Sequence, residues 1–150
     1  METDSNKEPA QIRICQFLSF GFVATCVFLV FIASTHAKGM EMYRDISVAG
    51  LVPIIGAATA LIPISFFIQR SIFYRLLGGQ NHLALEPATL RSYFISLIVG
   101  HVLRELIAIL GFVASILSAD PSWATGFGVV AITLISLNWP SQLKLQSMLR

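Results

Sequence analysis

Charged residues are scarce in this chain. Lysine, arginine, aspartate and glutamate make up 12% of its 150 residues, whereas hydrophobic residues make up 55%. A soluble domain carries about 25% charged residues, so this composition excludes an ordinary water-soluble domain and predicts that lipid surrounds much of the protein. The net charge of +2 forms no basic patch on a soluble face, and nucleic acid is therefore not an expected partner.

Cysteine and histidine are also scarce, which limits the chemistry. Cys15 and Cys26 lie on one apolar run, about 16 Å apart if that run is a helix, which is beyond disulfide reach. His36, His82 and His101 are isolated in the sequence, so no metal-ligand spacing occurs. No residue combination typical of a hydrolase or a phosphate-binding loop is present. We expect no enzymatic activity, no cofactor and no metal.

Four long apolar runs dominate what remains, at residues 14–33, 48–68, 93–117 and 123–139. Each approaches the roughly 17–25 residues that cross the hydrocarbon core of a bilayer. Since lipid offers no hydrogen bonds to the backbone, runs of this length indicate helices. The sequence predicts an all-α polytopic membrane protein with a four-helix transmembrane bundle. The fourth run is the shortest and carries Gly126 and Gly128 near its start.

The distribution of basic residues predicts the orientation. Four spans place the tail 1–13, the loop 69–92 and the tail 141–150 on one side, and most of the lysines and arginines of the chain lie there. Cytoplasmic segments carry an excess of these residues, so both termini are expected in the cytoplasm. The compactness of the chain favours a bacterial inner membrane.

Helix boundaries are suggested by glycine and proline. Gly78 and Gly79 are expected to end the second helix, and Pro87 suits the first position of the third. Asp120 precedes Pro121 and is expected to cap the fourth helix.

Small residues recur at helical spacing on the second and third runs. Gly56 and Ala60 belong to a seam on the second run, and Ala108 and Gly111 to one on the third. Small residues allow helix backbones to approach closely in a membrane. We interpret these seams as helix-packing surfaces within the chain, with oligomerisation through one of them as the alternative.

Three ionisable side chains interrupt the third run: His101, Arg104 and Glu105. Charged groups at this depth are costly and usually paired, packed inward or part of a site. Arg104 lies on the small-residue seam, whereas Glu105 points about a quarter-turn away and can touch His101. Arg104 is therefore expected to need acceptors elsewhere, such as backbone carbonyls at the proline kinks or threonine hydroxyls. The candidate hydroxyls are those of Thr25, Thr59 and Thr133.

Two interpretations of this cluster remain open. In one, the three side chains neutralise one another and set the register of the helices, with Glu105 permanently ionised. In the other, Glu105 is a proton or cation site, with His101 as a relay. The first favours a helix-packing or assembly subunit of a membrane complex, and the second favours a translocator. Partners would be the lipid bilayer and either further copies of the chain or other membrane subunits.

Residues 105–114, with the sequence Glu-Leu-Ile-Ala-Ile-Leu-Gly-Phe-Val-Ala, resemble the carboxylate-bearing helix of rotary-ATPase proteolipid subunits, the c or K rotor-ring family. The wider layout is similar, since a small-residue-rich helix and a polar loop precede the carboxylate helix. The resemblance implies that Glu105 binds a transported proton or sodium ion. Arg104 beside the glutamate and the length of the loop 69–92 depart from that family.

Overall fold

A computed structural model describes residues 10–36, 48–78 and 87–149. Within these ranges the chain forms helices and no strands, which confirms the predicted all-α class. The helices are α1 (Ala10–His36), α2 (Val48–Leu77), α3 (Pro87–Ser118), α4 (Ser122–Leu137) and α5 (Gln142–Leu149). Much of the predicted tail 1–13 and the middle of the predicted loop 69–92 lie outside the described residues.

Three of these helices are long and apolar enough to cross a membrane: α1, α2 and α3. The predicted spans 14–33, 48–68 and 93–117 fall inside them. α4 has 16 residues, a length of about 24 Å, which is less than the roughly 30 Å of the hydrocarbon core. α4 and α5 meet at a bend of 79°, and the pair is a fourth candidate span only if the two count together.

The ends of the predicted loop 69–92 follow the sequence signals. α2 ends at Leu77, and Gly78 has a φ of 63°, a backbone conformation that glycine adopts without steric cost. The Gly78 N–H points back to the Arg75 carbonyl at 3.4 Å. Pro87 is the first residue of α3, where its missing N–H has no intrahelical partner to lose.

The turn between α3 and α4 differs from the sequence prediction in one detail. Pro121, not Asp120, holds the N-cap position, and it makes no side-chain cap. The Asp120 carboxylate still accepts a hydrogen bond from the Ser122 backbone N–H at 2.9 Å. Asp120 therefore stabilises the start of α4 from the position before the N-cap, and not from the N-cap itself as expected.

α3 is the central helix and packs against α1, α2 and α4. Its predicted seam is buried at both Ala108 and Gly111. A Cβ atom added to Gly111 would lie 2.5 Å from the Cβ of Phe127 and 3.0 Å from the Trp123 carbonyl oxygen, both on α4. The absence of a side chain at Gly111 therefore allows α3 and α4 to approach closely.

The predicted seam of α2 does not pack within the chain. Gly56 and Ala60 are exposed, and nothing lies within 4 Å of a Cβ added to Gly56. α2 instead turns the side that carries Ala58, Gln69 and Phe73 toward α3. Ala58 is two residues, or about 200° of rotation, from Gly56. Packing of Gly56 and Ala60 inside the chain was thus a wrong expectation, because the contacts of Gln69 and Phe73 set the rotation of α2.

Two apolar clusters lie one above the other along the bundle. The first gathers at the end where α1 begins and where α5 lies, which we call the α5 end; its buried members are Ile12, Cys15, Phe73, Leu77, Leu90, Tyr93, Leu97 and Leu145. The second lies further along the bundle and contains Cys26, Ala58, Ile107, Ala108, Ala131 and Ile135. The polar side chains of the candidate site lie between these two clusters.

Candidate functional site

The centre of the site is the guanidinium group of Arg104, near the middle of α3. Arg104 is 0% exposed. Its Nη2 donates a hydrogen bond of 2.6 Å to Oε1 of Gln69 on α2, and its Nη1 lies 3.1 Å from Nδ1 of His101. The Cζ atom stands 4.7 Å from the centre of the Phe66 ring, in a cation–π arrangement. The charge thus points into the protein and not toward lipid.

The partners of His101 determine its tautomer. Arginine has only donors, so the Nδ1 atom of His101 accepts from Arg104. The proton of the neutral imidazole is then on Nε2, which lies 2.9 Å from the Ser19 hydroxyl on α1. The Ser19 hydroxyl donates in turn to the Cys15 carbonyl at 2.8 Å. A chain of donors therefore runs from Arg104 through His101 and Ser19 to the backbone of α1.

Space for this arrangement comes from Gly100. A Cβ atom added at Gly100 would lie 2.6 Å from Oε1 of Gln69, the atom that accepts from Arg104. Real Cβ atoms essentially never approach that closely. The glycine one turn before Arg104 therefore permits the amide of α2 to reach the guanidinium.

Glu105 is separated from this network. No hydrogen bond or ion pair joins its carboxylate to Arg104 or His101 within the described residues. Glu105 is only partly buried and interacts with the Thr25 hydroxyl of α1. That hydroxyl also donates to the Gly21 carbonyl at 3.1 Å, and one proton cannot serve both acceptors. The expected mutual neutralisation of the three side chains is therefore not observed.

Arg104 has no carboxylate counter-charge in the part of the chain that the structure describes. Glu105 and Asp120 are the only acidic residues in that part, and neither contacts the guanidinium. The Nε atom of Arg104 is buried and has no hydrogen-bond partner. Burial of a cation without an anion is costly, and here an amide oxygen, an imidazole nitrogen and an aromatic face offset that cost only in part.

The acceptors proposed for Arg104 from the sequence were wrong. Thr25, Thr59 and Thr133 are exposed, and each donates its hydroxyl to the backbone carbonyl four residues earlier in its own helix. A hydroxyl can satisfy itself locally in this way. The glutamine amide of Gln69 has no such local bond and extends across to α3.

Two members of the network, Ser19 and Gln69, were not recognised as site residues from the sequence. Ser19 lies in the expected span 14–33, and Gln69 falls just past the end of the span 48–68. Glutamine is common at the end of an apolar run, where a helix reaches the membrane boundary, and therefore does not stand out as a site residue. The sequence did indicate that Arg104 has no acceptor on its own helix and therefore needs one on a neighbouring helix.

The network joins three helices through side-chain contacts. Ser19 contributes from α1, Gln69 from α2, and His101 and Arg104 from α3. Every link needs a defined rotation and axial position of its helix, because a hydrogen bond tolerates only a few tenths of an ångström in length. Within residues 10–36, 48–78 and 87–149, no three histidine, cysteine or acidic side chains are placed to hold a metal ion.

Comparison with known proteins finds no matching family model, no matching curated protein and no matching solved structure.

Proposed function

We propose that the chain is a non-enzymatic, multi-pass membrane protein that acts as a helix-packing or assembly subunit of a membrane complex. In this proposal it has four spans, the last of them at about 123–139 on α4, and both termini are cytoplasmic. The excess of lysine and arginine at the tails and the middle loop supports this orientation. A bacterial inner membrane is the proposed location.

One observation supports the proposal above all: the polar cluster is divided between the inside and the outside of the bundle. Arg104 and His101 are fully buried and bonded to neighbouring helices of the same chain. Glu105 is only partly buried, and its carboxylate interacts with the Thr25 hydroxyl of α1. The inward pair fixes the helices of the chain, whereas the carboxylate remains available to a group outside it.

The depth of Glu105 supports a partner from outside the chain. It lies at the midpoint of the predicted span 93–117, about 18 Å from either end. A carboxylate at that depth is stable only when it is protonated, paired or bound to a cation. A cationic or hydrogen-bonding side chain of a neighbouring subunit, or of a second copy, would supply this.

The faces of α1 and α2 that point outward are suited to lipid or to further helices. Phe17 and Phe28 of α1 are 77% and 59% exposed, and Phe67 of α2 is 75% exposed. Such large apolar side chains cannot face water over this length. They support lipid as one partner and leave room for helix–helix association.

The test compares Glu105→Gln with the wild type in membranes of the native host, extracted with a mild detergent. We expect the wild type to migrate in a native gel as a complex larger than the monomer, and the variant to lose that complex. Asp120→Asn is the matched control, because it neutralises a carboxylate outside the spans and should leave the complex intact. A Glu105→Gln complex of unchanged size and yield would contradict the assembly role.

The second candidate is a proton- or cation-translocating subunit that uses Glu105. Its partly exposed position near Thr25 and the resemblance of residues 105–114 to proteolipid subunits favour it. A carbodiimide that attacks protonated carboxyl groups should then label Glu105, and sodium or high pH should protect it. Absence of labelling in folded protein would exclude this candidate. A relay from Glu105 through His101 is not supported, because no contact joins the two side chains among the described residues and the Nδ1 neighbour, Arg104, has only donors and cannot accept a proton.

A further inference from the structure

A cavity of about 260 Å³ lies at the α5 end of the bundle, beside the buried network. Its walls come from the last part of α2, the residues that follow α4, and α5. Gln69 lines it and is also the residue that accepts from Arg104. Gln69 therefore belongs both to the buried network and to the wall of the cavity.

Two cationic side chains line this cavity, Arg70 of α2 and Lys144 of α5. Arg70 is held in place, since its Nη2 donates to the Tyr74 hydroxyl at 3.3 Å and its Cζ stands 5.5 Å from the centre of that ring. The Tyr74 hydroxyl donates to the Met148 carbonyl at 3.0 Å, which fixes Arg70 relative to α5. The ammonium group of Lys144 has no partner among the described residues.

Neutral donors add to these cations. Arginine can only donate, so Gln69 accepts from Arg104 through its amide oxygen, Oε1. The amide N–H groups of Gln69 have no partner in the described ranges.

Asn138 also lines the cavity; one of its two amide N–H groups donates to the Leu134 carbonyl at 3.0 Å, which leaves the other for a ligand. Ser147 lines the cavity as well, but its hydroxyl donates to the Lys144 carbonyl at 2.7 Å and adds no donor. A group of donors with no carboxylate among them is suited to an anion with several oxygen atoms, such as a phosphate.

The buried charge of Arg104 is the independent observation that points the same way. Its guanidinium is fully buried, its Nε has no partner, and no described carboxylate neutralises it. It lies directly behind Gln69, which lines the cavity. An anion in the cavity would supply Arg104 with a counter-charge, and in an apolar surrounding that attraction is weakly screened.

We propose that this cavity binds the phosphate of one anionic phospholipid, with Arg70 and Lys144 as the direct ligands. Phe66 and Met148 also line the cavity, and they match the glycerol and the first methylene groups of a lipid. Basic cavities between helices at the cytoplasmic boundary are typical headgroup sites. A free phosphate would use the cations but not the aromatic wall.

The test uses full-length protein, washed in detergent to remove lipid and then titrated with phosphatidylglycerol or phosphatidylcholine of identical acyl chains. Native mass spectrometry counts the retained lipid, and thermal unfolding reports stabilisation. We expect one tightly retained phosphatidylglycerol, an increase in the unfolding temperature, and little effect of phosphatidylcholine. The double variant Arg70→Gln/Lys144→Gln should bind at least about tenfold more weakly, which corresponds to about 1.4 kcal/mol.

The matched control is Arg13→Gln/Arg75→Gln. It removes the same charge at the α5 end, from two exposed side chains that do not line the cavity, and it should bind phosphatidylglycerol like the wild type. The single variant Lys144→Gln is included in case the double variant misfolds. It should fold normally, because the ammonium group of Lys144 makes no contact whose loss would unfold the protein. Equal weakening in the control, equal binding of both lipids, or full binding by Lys144→Gln and the double variant would each overturn the proposal. The same stabilisation by inorganic phosphate alone would overturn its lipid part.

Discussion

Arg104 and His101 lie one helical turn apart on α3, and Nη1 of the arginine is 3.1 Å from Nδ1 of the histidine. Two groups that are cationic at low pH are usually kept apart. They are adjacent here because the imidazole accepts from the guanidinium and is therefore neutral, with its proton directed to Ser19 on α1. The pair is thus a polar link between helices and not a pair of charges.

Ser19→Ala tests this link. The change leaves the Nε2–H group of a fully buried imidazole without its acceptor, so we expect the free energy of unfolding to fall by roughly 1–2 kcal/mol. Ser34→Ala is the control, since Ser34 is exposed and its hydroxyl contacts only the carbonyl of Val30 in its own helix. The measurement is reversible unfolding in mixed detergent micelles, and equal effects of the two variants would contradict the role of Ser19.

Gly100→Ala tests the space that the network requires. The new Cβ would lie 2.6 Å from Oε1 of Gln69 and would displace the amide from Arg104. We expect a loss of roughly 1–3 kcal/mol in the free energy of unfolding, the cost of a buried donor without its acceptor. Gly56→Ala is the matched control on α2. It meets nothing within 4 Å and should be neutral or more stable by up to about 1 kcal/mol, because alanine is the better helix former.

Gly111→Ala tests the contact between α3 and α4. Its Cβ would lie 2.5 Å from the Cβ of Phe127 and 3.0 Å from a backbone carbonyl of α4, which cannot move aside cheaply. We expect the two helices to separate and the free energy of unfolding to fall by about 1–3 kcal/mol. Gly126→Ala, on α4 with nothing nearby, should lack this loss. Cysteine pairs placed across the α3–α4 turn would report the change in spacing.

Asp120 gives a pH dependence that can be checked outside the spans. Hydrogen bonds from the side chain and the backbone N–H of Ser122 stabilise its carboxylate and lower its pKa below the usual value. A lowered pKa means that the carboxylate contributes stability above the pKa of the unfolded state, about 3.9. This contribution disappears as the pH falls through the folded-state pKa.

The corresponding variant is Asp120→Asn. We expect it to be slightly less stable than the wild type near pH 7, and the difference between the two to shrink toward zero in acid. Thermal unfolding of both proteins from pH 7 down to about pH 2, below the lowered pKa, measures this difference. A gap that stays constant, or widens as the pH falls, would contradict the role assigned to the carboxylate.

The predicted helices depended on local information, and this explains why they agree with the structure. Gly78 and Pro87 mark the ends of α2 and α3 through the conformations that their own backbones allow. The choice of partner face on α2 was not local. The seam of Gly56 and Ala60 was as suitable for packing as the side that carries Ala58, and only the contacts of Gln69 and Phe73 with α3 decided between them.

The candidate site was predicted only in part for the same reason. His101, Arg104 and Glu105 were recognisable because ionisable residues are rare in an apolar run. Their division into an inward pair and an outward carboxylate depended on where α1 and α2 lie around α3. The spacing along one helix indicated which side chains could meet, but the acceptors of Arg104 and His101 come from distant parts of the chain.

The sequence by itself determined that the chain is helical and apolar enough for lipid, because a backbone without water must satisfy its hydrogen bonds within each segment. It also determined that the charged residues and the histidine within the predicted spans are on α3. The tertiary structure alone decided the rotation of each helix about its axis, and with it the burial of Arg104, the separation of Glu105 and the cavity beside Gln69. The rotation of a helix depends on its contacts with other helices, and the sequence pattern of one helix does not specify where the other helices lie.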